Sequence, residues 1–122
     1  MRKMLIAAGI FGLAAAPALA ADVMAGYYGN TVVVTGAALE VHVHYRADHT
    51  LDVSGKRSGQ AFATKGAWKI DKGRICRTYD APPPGVPNPF CSPLASHKVG
   101  DTWSMPAAGG GTNQARLVAG VH

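Results

Sequence analysis

Hydrophobic and polar residues alternate most regularly in residues 38–45, and this pattern predicts a β-strand. Successive side chains of a strand point to opposite faces of the sheet, so strict alternation gives one apolar face and one polar face. A strand of this kind is half-buried. The apolar face holds Val41, Val43 and Tyr45, and the polar face holds Glu40, His42 and His44.

Similar short runs, rich in β-branched and aromatic residues, recur along the chain at intervals of about ten residues. Gly, Pro, Asp and Asn separate them, as is typical of turns. No segment shows the 3.6-residue periodicity of a helix over about ten residues or more. We therefore predict strands at residues 30–35, 38–45, 50–54, 60–70, 74–79, 90–95, 102–105 and 113–121.

These segments predict an all-β fold in which neighbours along the chain are neighbours in the sheet, because most connections are short. An antiparallel meander of about eight strands would expose two edges unless it closed into a barrel. A small lipocalin-like barrel is thus the predicted architecture, and a β-sandwich is the alternative. Within residues 60–70 we expect Gly66 to cause a bend or bulge. In the last strand we expect one apolar face, made of Ala115, Leu117, Ala119 and Val121.

The N-terminus has the features of a cleavable signal peptide. Arg2 and Lys3 precede an apolar run at residues 5–16, and residues 18–20 (ALA) give the small-x-small pattern of a cleavage site. The run is shorter than the roughly 20 residues that span a bilayer. We predict cleavage after Ala20, a single domain at residues 21–122, a periplasmic or secreted location and no membrane span in the processed protein.

Removal of residues 1–20 would leave 10 Lys and Arg against 7 Asp and Glu, a net charge of about +3. Five basic residues cluster between positions 65 and 77, but Asp71 interrupts them and no aromatic stacking platform accompanies them. We therefore expect a solvated hairpin face and no nucleic-acid partner. The cluster consists of Lys65, Lys69, Lys72, Arg74 and Arg77.

Two cysteines, Cys76 and Cys91, lie fifteen residues apart. An even number of cysteines in an exported protein indicates a disulfide, which for this loop length would stabilise the fold by about 3 kcal/mol. The bridge would span residues 81–89 (APPPGVPNP), a stiff, extended and exposed loop with five prolines, and would fix the register of the flanking strands. Free buried thiols and a metal-binding pair remain the alternatives.

His42 and His44 occupy alternate positions of one predicted strand, so their rings point to the same face with Cα atoms about 6.5–7 Å apart. Both imidazoles could reach one Zn or Cu ion, with Glu40 on the same face and His49 just beyond the turn. The alternative is an exposed polar face without a ligand, because a tight site needs three or four ligands. Metal binding by His42 and His44 is thus one hypothesis for this protein.

Aromatic residues could line a pocket for an apolar ligand or fill a small core, and we expect Trp68 and Trp103 to anchor that core. Catalytic patterns are missing from the sequence, which has no nucleophile elbow, no HExxH and no paired carboxylates. Bridged cysteines could not act as nucleophiles. The sequence therefore predicts no enzymatic activity and no cofactor.

The order of several short motifs resembles that of an uncharacterised group of small, exported, lipocalin-like proteins of alphaproteobacteria. The resemblance covers about residues 26–121 and implies a small antiparallel barrel without implying an activity. It departs from the group at His49, where a turn glycine is expected. A more distant likeness links the G-x-W strand to bacterial periplasmic protease inhibitors, which are disulfide-bearing barrels. The motifs are residues 28–32 (YGNTV), 45–50 (YRADHT), 66–70 (GAWKI), 75–76 (IC), 91–93 (CSP) and 99–103 (VGDTW).

Taken together, these features favour a non-enzymatic binding or interaction module of the periplasm or extracellular space. Its partner would be a small apolar ligand or an envelope protein. One alternative is an inhibitor of an envelope protease or hydrolase that inserts the rigid loop of residues 81–89, since a pre-extended loop loses little entropy on binding. The other alternative is metal binding through the His-x-His strand.

Overall fold

Eight antiparallel strands form one sheet that curls into a nearly closed barrel. The structure, a computed structural model, describes residues 22–83 and 85–122. The predicted signal peptide, residues 1–20, lies outside the described residues. A short 3-10 helix (Asp22–Tyr27) is followed by β1 (Thr31–Gly36), β2 (Leu39–Tyr45), β3 (Thr50–Arg57), β4 (Gln60–Asp71), β5 (Arg74–Tyr79), β6 (Phe90–Pro93), β7 (Thr102–Pro106) and β8 (Thr112–Val118).

The strand order confirms the predicted meander and the barrel, and it shows where the barrel is incomplete. Strands β1 to β6 pair consecutively, β7 pairs with β8, and β8 pairs with β1. Strands β6 and β7 lie at the two ends of this order, and the described chain contains no ladder between them. We call the opening between β6 and β7 the seam.

The last strand is shorter than predicted, because β8 ends at Val118. The expectation that Ala119 and Val121 continue its apolar face is wrong, and Val121 is 66% exposed. The backbone turns at Gly120, whose φ of 81° suits glycine. Thr31 then holds the turned tail, since its hydroxyl donates a hydrogen bond to the Gly120 carbonyl and accepts one from the His122 amide.

Gly66 does not interrupt β4, which continues unbroken from Gln60 to Asp71. Its lack of a side chain instead permits close packing of β5, because a Cβ at this position would lie 2.1 Å from the Thr78 carbonyl oxygen. Gly66 is paired with Tyr79 of β5 at this point.

The barrel interior is densely filled in one part. Met24 of the 3-10 helix, Leu51 and Leu117 are fully buried there and belong to the hydrophobic core. Trp68 is buried there and its indole N–H donates a hydrogen bond to the Arg46 carbonyl, as expected of a core anchor. Trp103 is only partly buried, because it lies on β7 beside the seam.

Cys76 and Cys91 lie directly opposite each other on β5 and β6, with Cα atoms 4.0 Å apart, and form a disulfide. The pairing places the covalent link where no short turn joins the strands, so it fixes the β5–β6 register as predicted.

No helix among the described residues is both long enough and apolar enough to cross a membrane.

Candidate ligand-binding site

Arg77 lies inside the barrel, with only 4% of its surface exposed. The prediction that it belongs to a solvated hairpin face is therefore wrong. The reason is the alternation of β5, in which Ile75, Arg77 and Tyr79 share the inward face. The residue opposite Arg77 on β4 is the buried Trp68, which faces the same interior.

Three neighbours accept hydrogen bonds from the Arg77 guanidinium. Its Nε donates to the Tyr45 hydroxyl at 2.7 Å, and its Nη2 donates to the Ser92 hydroxyl at 2.8 Å. Its Nη1 donates to the Phe90 carbonyl at 3.2 Å. A guanidinium carries five N–H groups, so these three acceptors leave part of its donor capacity for another molecule.

Two aromatic rings hold the guanidinium in place. Its central carbon lies 5.9 Å from the centre of the Tyr45 ring and 5.7 Å from the centre of the Phe90 ring. Cations are attracted to ring faces within about 6 Å, and this attraction is stronger where water is excluded. The orientation of Arg77 is thus set by both polar and aromatic contacts.

The charge of Arg77 is not balanced by a neighbouring acid. Among the side chains that the structure describes, no carboxylate forms an ion pair with Arg77. Burial by itself would lower the pKa of Arg77, but the oxygens of Tyr45 and Tyr79 and the hydrogen bond to Tyr45 outweigh it, so the pKa is raised. The barrel interior therefore contains a permanent positive charge whose desolvation is unfavourable to folding.

A cavity of about 90 Å³ extends from Arg77 toward the end of the barrel that residues 81–89 cover. We call it the loop-end cavity. Most of its wall is aliphatic and aromatic, and its described lining contains two cations, Arg57 and Arg77, and no Asp or Glu. The pKa of Tyr79 in this wall is raised to about 12, because burial disfavours the phenolate more than Arg77 stabilises it. The wall also includes Val34, Leu39, Val41, Val43, Val53, Phe62, Val86, Phe90 and Met105.

A second cavity, of about 220 Å³, lies on the seam side of Arg77 and Tyr45, and we call it the seam cavity. His97 and Trp103 form part of its wall, stacked with ring centres 3.6 Å apart. Tyr27 approaches both rings edge-on and donates a hydrogen bond to the Ala95 carbonyl. These contacts close most of the seam with side chains where strand pairing is missing.

Most described residues of the loop over residues 81–89 are exposed, as predicted, but the loop is not fully extended, because the Val86 amide donates a hydrogen bond to the Pro83 carbonyl. Pro83 and Val86 line the loop-end cavity. The Asn88 side chain fastens the loop to Tyr79, since it accepts a hydrogen bond from the Tyr79 amide and donates one to the Tyr79 carbonyl. These contacts hold part of the loop against the barrel.

His42 and His44 lie on the outer face of β2, on the same face as predicted, and both are half-buried. His42 Nε2 is 3.2 Å from a Glu40 carboxylate oxygen, and His44 lies opposite Asp52 on β3. His49 stacks on Trp68 with ring centres 4.1 Å apart. Within the described chain, no group of three His, Cys, Asp or Glu side chains is arranged to hold a metal ion.

The sequence contained a signal for the interior arginine. Residues 75, 77 and 79 are Ile, Arg and Tyr at alternate positions, which is the pattern of an inward face with one charged member. Ser92 and Phe90 could not be associated with Arg77 before the register of β5 and β6 was known.

The chain matches no protein-family model, and no curated protein or solved structure is significantly similar to it.

Proposed function

We propose that this protein is a non-enzymatic, lipocalin-like binding module of the periplasm or extracellular space. Its ligand is a small amphipathic molecule held inside the barrel. The observation that carries the proposal is the pair of cavities on either side of Arg77. A fully packed interior would have left no place for a ligand.

The division of the interior supports this proposal. Large side chains fill the interior around Met24, Leu51 and Leu117, whereas space remains on both sides of Arg77. Barrels of about eight strands are wide enough to hold one small ligand. An apolar cavity with a few convergent polar groups is the common form of a small-molecule site.

Ligand size follows from the volumes of the two cavities. They are about 90 and 220 Å³, below or near the lower end of the roughly 300–1,000 Å³ range of drug-sized pockets. An apolar cavity of about 150 Å³ holds benzene. The expected ligand is accordingly a short or medium-length chain or a single ring.

A cavity-filling substitution tests the proposal. Val34 lines the loop-end cavity, and the next residue, Thr35, lies on the opposite face of β1. Val34→Phe should weaken binding of a neutral single-ring probe such as fluorobenzene at least tenfold, because the added ring occupies the cavity. Thr35→Phe should leave binding unchanged. Probe affinity is measured by fluorine-19 nuclear magnetic resonance titration.

A second variant distinguishes a filled cavity from a misfolded protein. Ala108 lines the same cavity from the β7–β8 connection, where a larger side chain does not replace a core residue. Ala108→Trp should therefore also reduce probe affinity while circular dichroism stays unchanged. Absence of probe binding to the wild type, or equal binding by all three variants, would refute an interior site.

A further inference from the structure

We propose that the ligand carries a single carboxylate, which Arg77 binds between the loop-end cavity and the seam cavity. This inference rests on the proposed function, since it assigns the chemical class of the ligand to the same interior site. Arg77 and Tyr45 line both cavities, so a group bound to them is reachable from either side.

The buried charge of Arg77 favours an anionic ligand. Arg77 is buried without a carboxylate partner among the described side chains, and an unpaired buried charge destabilises a fold by several kcal/mol. A bound anion would remove this penalty. A single carboxylate supplies the one negative charge that the buried guanidinium of Arg77 lacks.

The geometry of the donors favours a carboxylate. The planar fork of a guanidinium matches the two oxygens of a carboxylate, and only part of the Arg77 fork is used by Tyr45, Ser92 and Phe90. The hydroxyls of Tyr45 and Ser92 accept from Arg77, so each retains its own proton to donate to an incoming oxygen. Two hydroxyl donors thus lie beside the cation, and both line the seam cavity.

The lining of the loop-end cavity indicates the chemistry of the rest of the ligand. Beyond Arg77 the loop-end cavity is lined by Val34, Val41 and Val53, and Val86 of the loop over residues 81–89 contributes from the mouth. An alkyl chain or a ring fits this part of the wall, because the side chains there are aliphatic. Octanoate and benzoate are representative of this class.

The experiment compares octanoate with octanol, which has the same chain and no charge. Isothermal titration calorimetry of the purified protein should give at least tenfold tighter binding of octanoate. Arg77→Met should abolish that preference. The matched control is Arg116→Met, because Arg116 lies on the exposed face of β8 and should keep the wild-type preference.

Arg77→Met should fold, because replacing a buried charged group by an apolar side chain of similar length is often neutral or stabilising. Ser92→Ala gives an independent readout. It should lower the affinity for octanoate several-fold and leave the affinity for octanol unchanged.

The outcomes separate the two proposals. If neither octanoate nor octanol binds, the interior site itself is refuted. If both bind with equal affinity, or if Arg77→Met retains the preference for octanoate, the interior site stands and the carboxylate assignment is overturned.

Discussion

At the scale of single residues, the position of Arg77 decides the interpretation. Its residue type and its basic neighbours in sequence indicate a solvated surface, yet the alternation of β5 turns it inward. Position in the pleat outweighs residue type here, because a strand cannot turn one side chain out of its face without a bulge. A charged residue flanked by Ile75 and Tyr79 at alternate positions should be considered an interior residue.

Tyr79 provides a prediction at this scale. Its pKa is raised to about 12 by burial, compared with about 10 in an unfolded chain. Folding therefore favours the neutral phenol, so this stabilisation is complete below about pH 10 and is lost as the pH rises through 12. Denaturant unfolding between pH 9 and pH 12 should show a steeper loss of stability in the wild type than in Tyr79→Phe.

The comparison with Tyr79→Phe separates this effect from other groups, because both proteins share their lysines and their other tyrosines. Parallel pH profiles for the two proteins would show that Tyr79 ionises as freely in the folded state as in the unfolded state.

At the scale of elements, most strands were predictable because their residues alternate regularly. Loops were not predictable, because tertiary contacts decide their conformation. The predicted bounds of the β2, β4 and β5 strands agree with the structure to within one residue. The prediction failed at the end of β8, where hydrogen bonds to Thr31 turn the chain. It also missed the seam, because residues 94–101 take irregular contacts, such as Gly100 N–H to Leu117 O, instead of extending β6.

The disulfide gives a prediction for the β5–β6 connection. Loss of the link between Cys76 and Cys91 should lower the free energy of unfolding by about 3 kcal/mol, because the unfolded chain gains the entropy of a fifteen-residue loop. Urea unfolding of the double variant Cys76→Ala, Cys91→Ala measures this change. Reductant should destabilise the wild type by a similar amount and leave the double variant unaffected.

An unfolding midpoint of the wild type that does not respond to reductant would contradict this account. It would mean that the β5–β6 register is held by the ladder and by the Asn88 contacts with Tyr79 alone.

At the scale of the whole molecule, the barrel combines a filled core, two cavities beside Arg77 and one unpaired seam. Pro83 and Val86 of the loop between β5 and β6 line the loop-end cavity. Barrel architecture was predictable because eight short alternating strands have few other ways to bury one face. The interior site was not predictable from the sequence, because it depends on side chains of β2, β5 and β6. These side chains meet only when the barrel closes.

The most direct test of the central claim is nuclear magnetic resonance of the Arg77 side chain during titration with octanoate. The account predicts that the Arg77 Nε–H signal shifts and saturates with octanoate and moves far less with octanol, while the Arg116 signal stays in place. Shifts confined to outer-face residues such as His42 and Arg116, with Arg77 unchanged, would contradict an anion site inside the barrel.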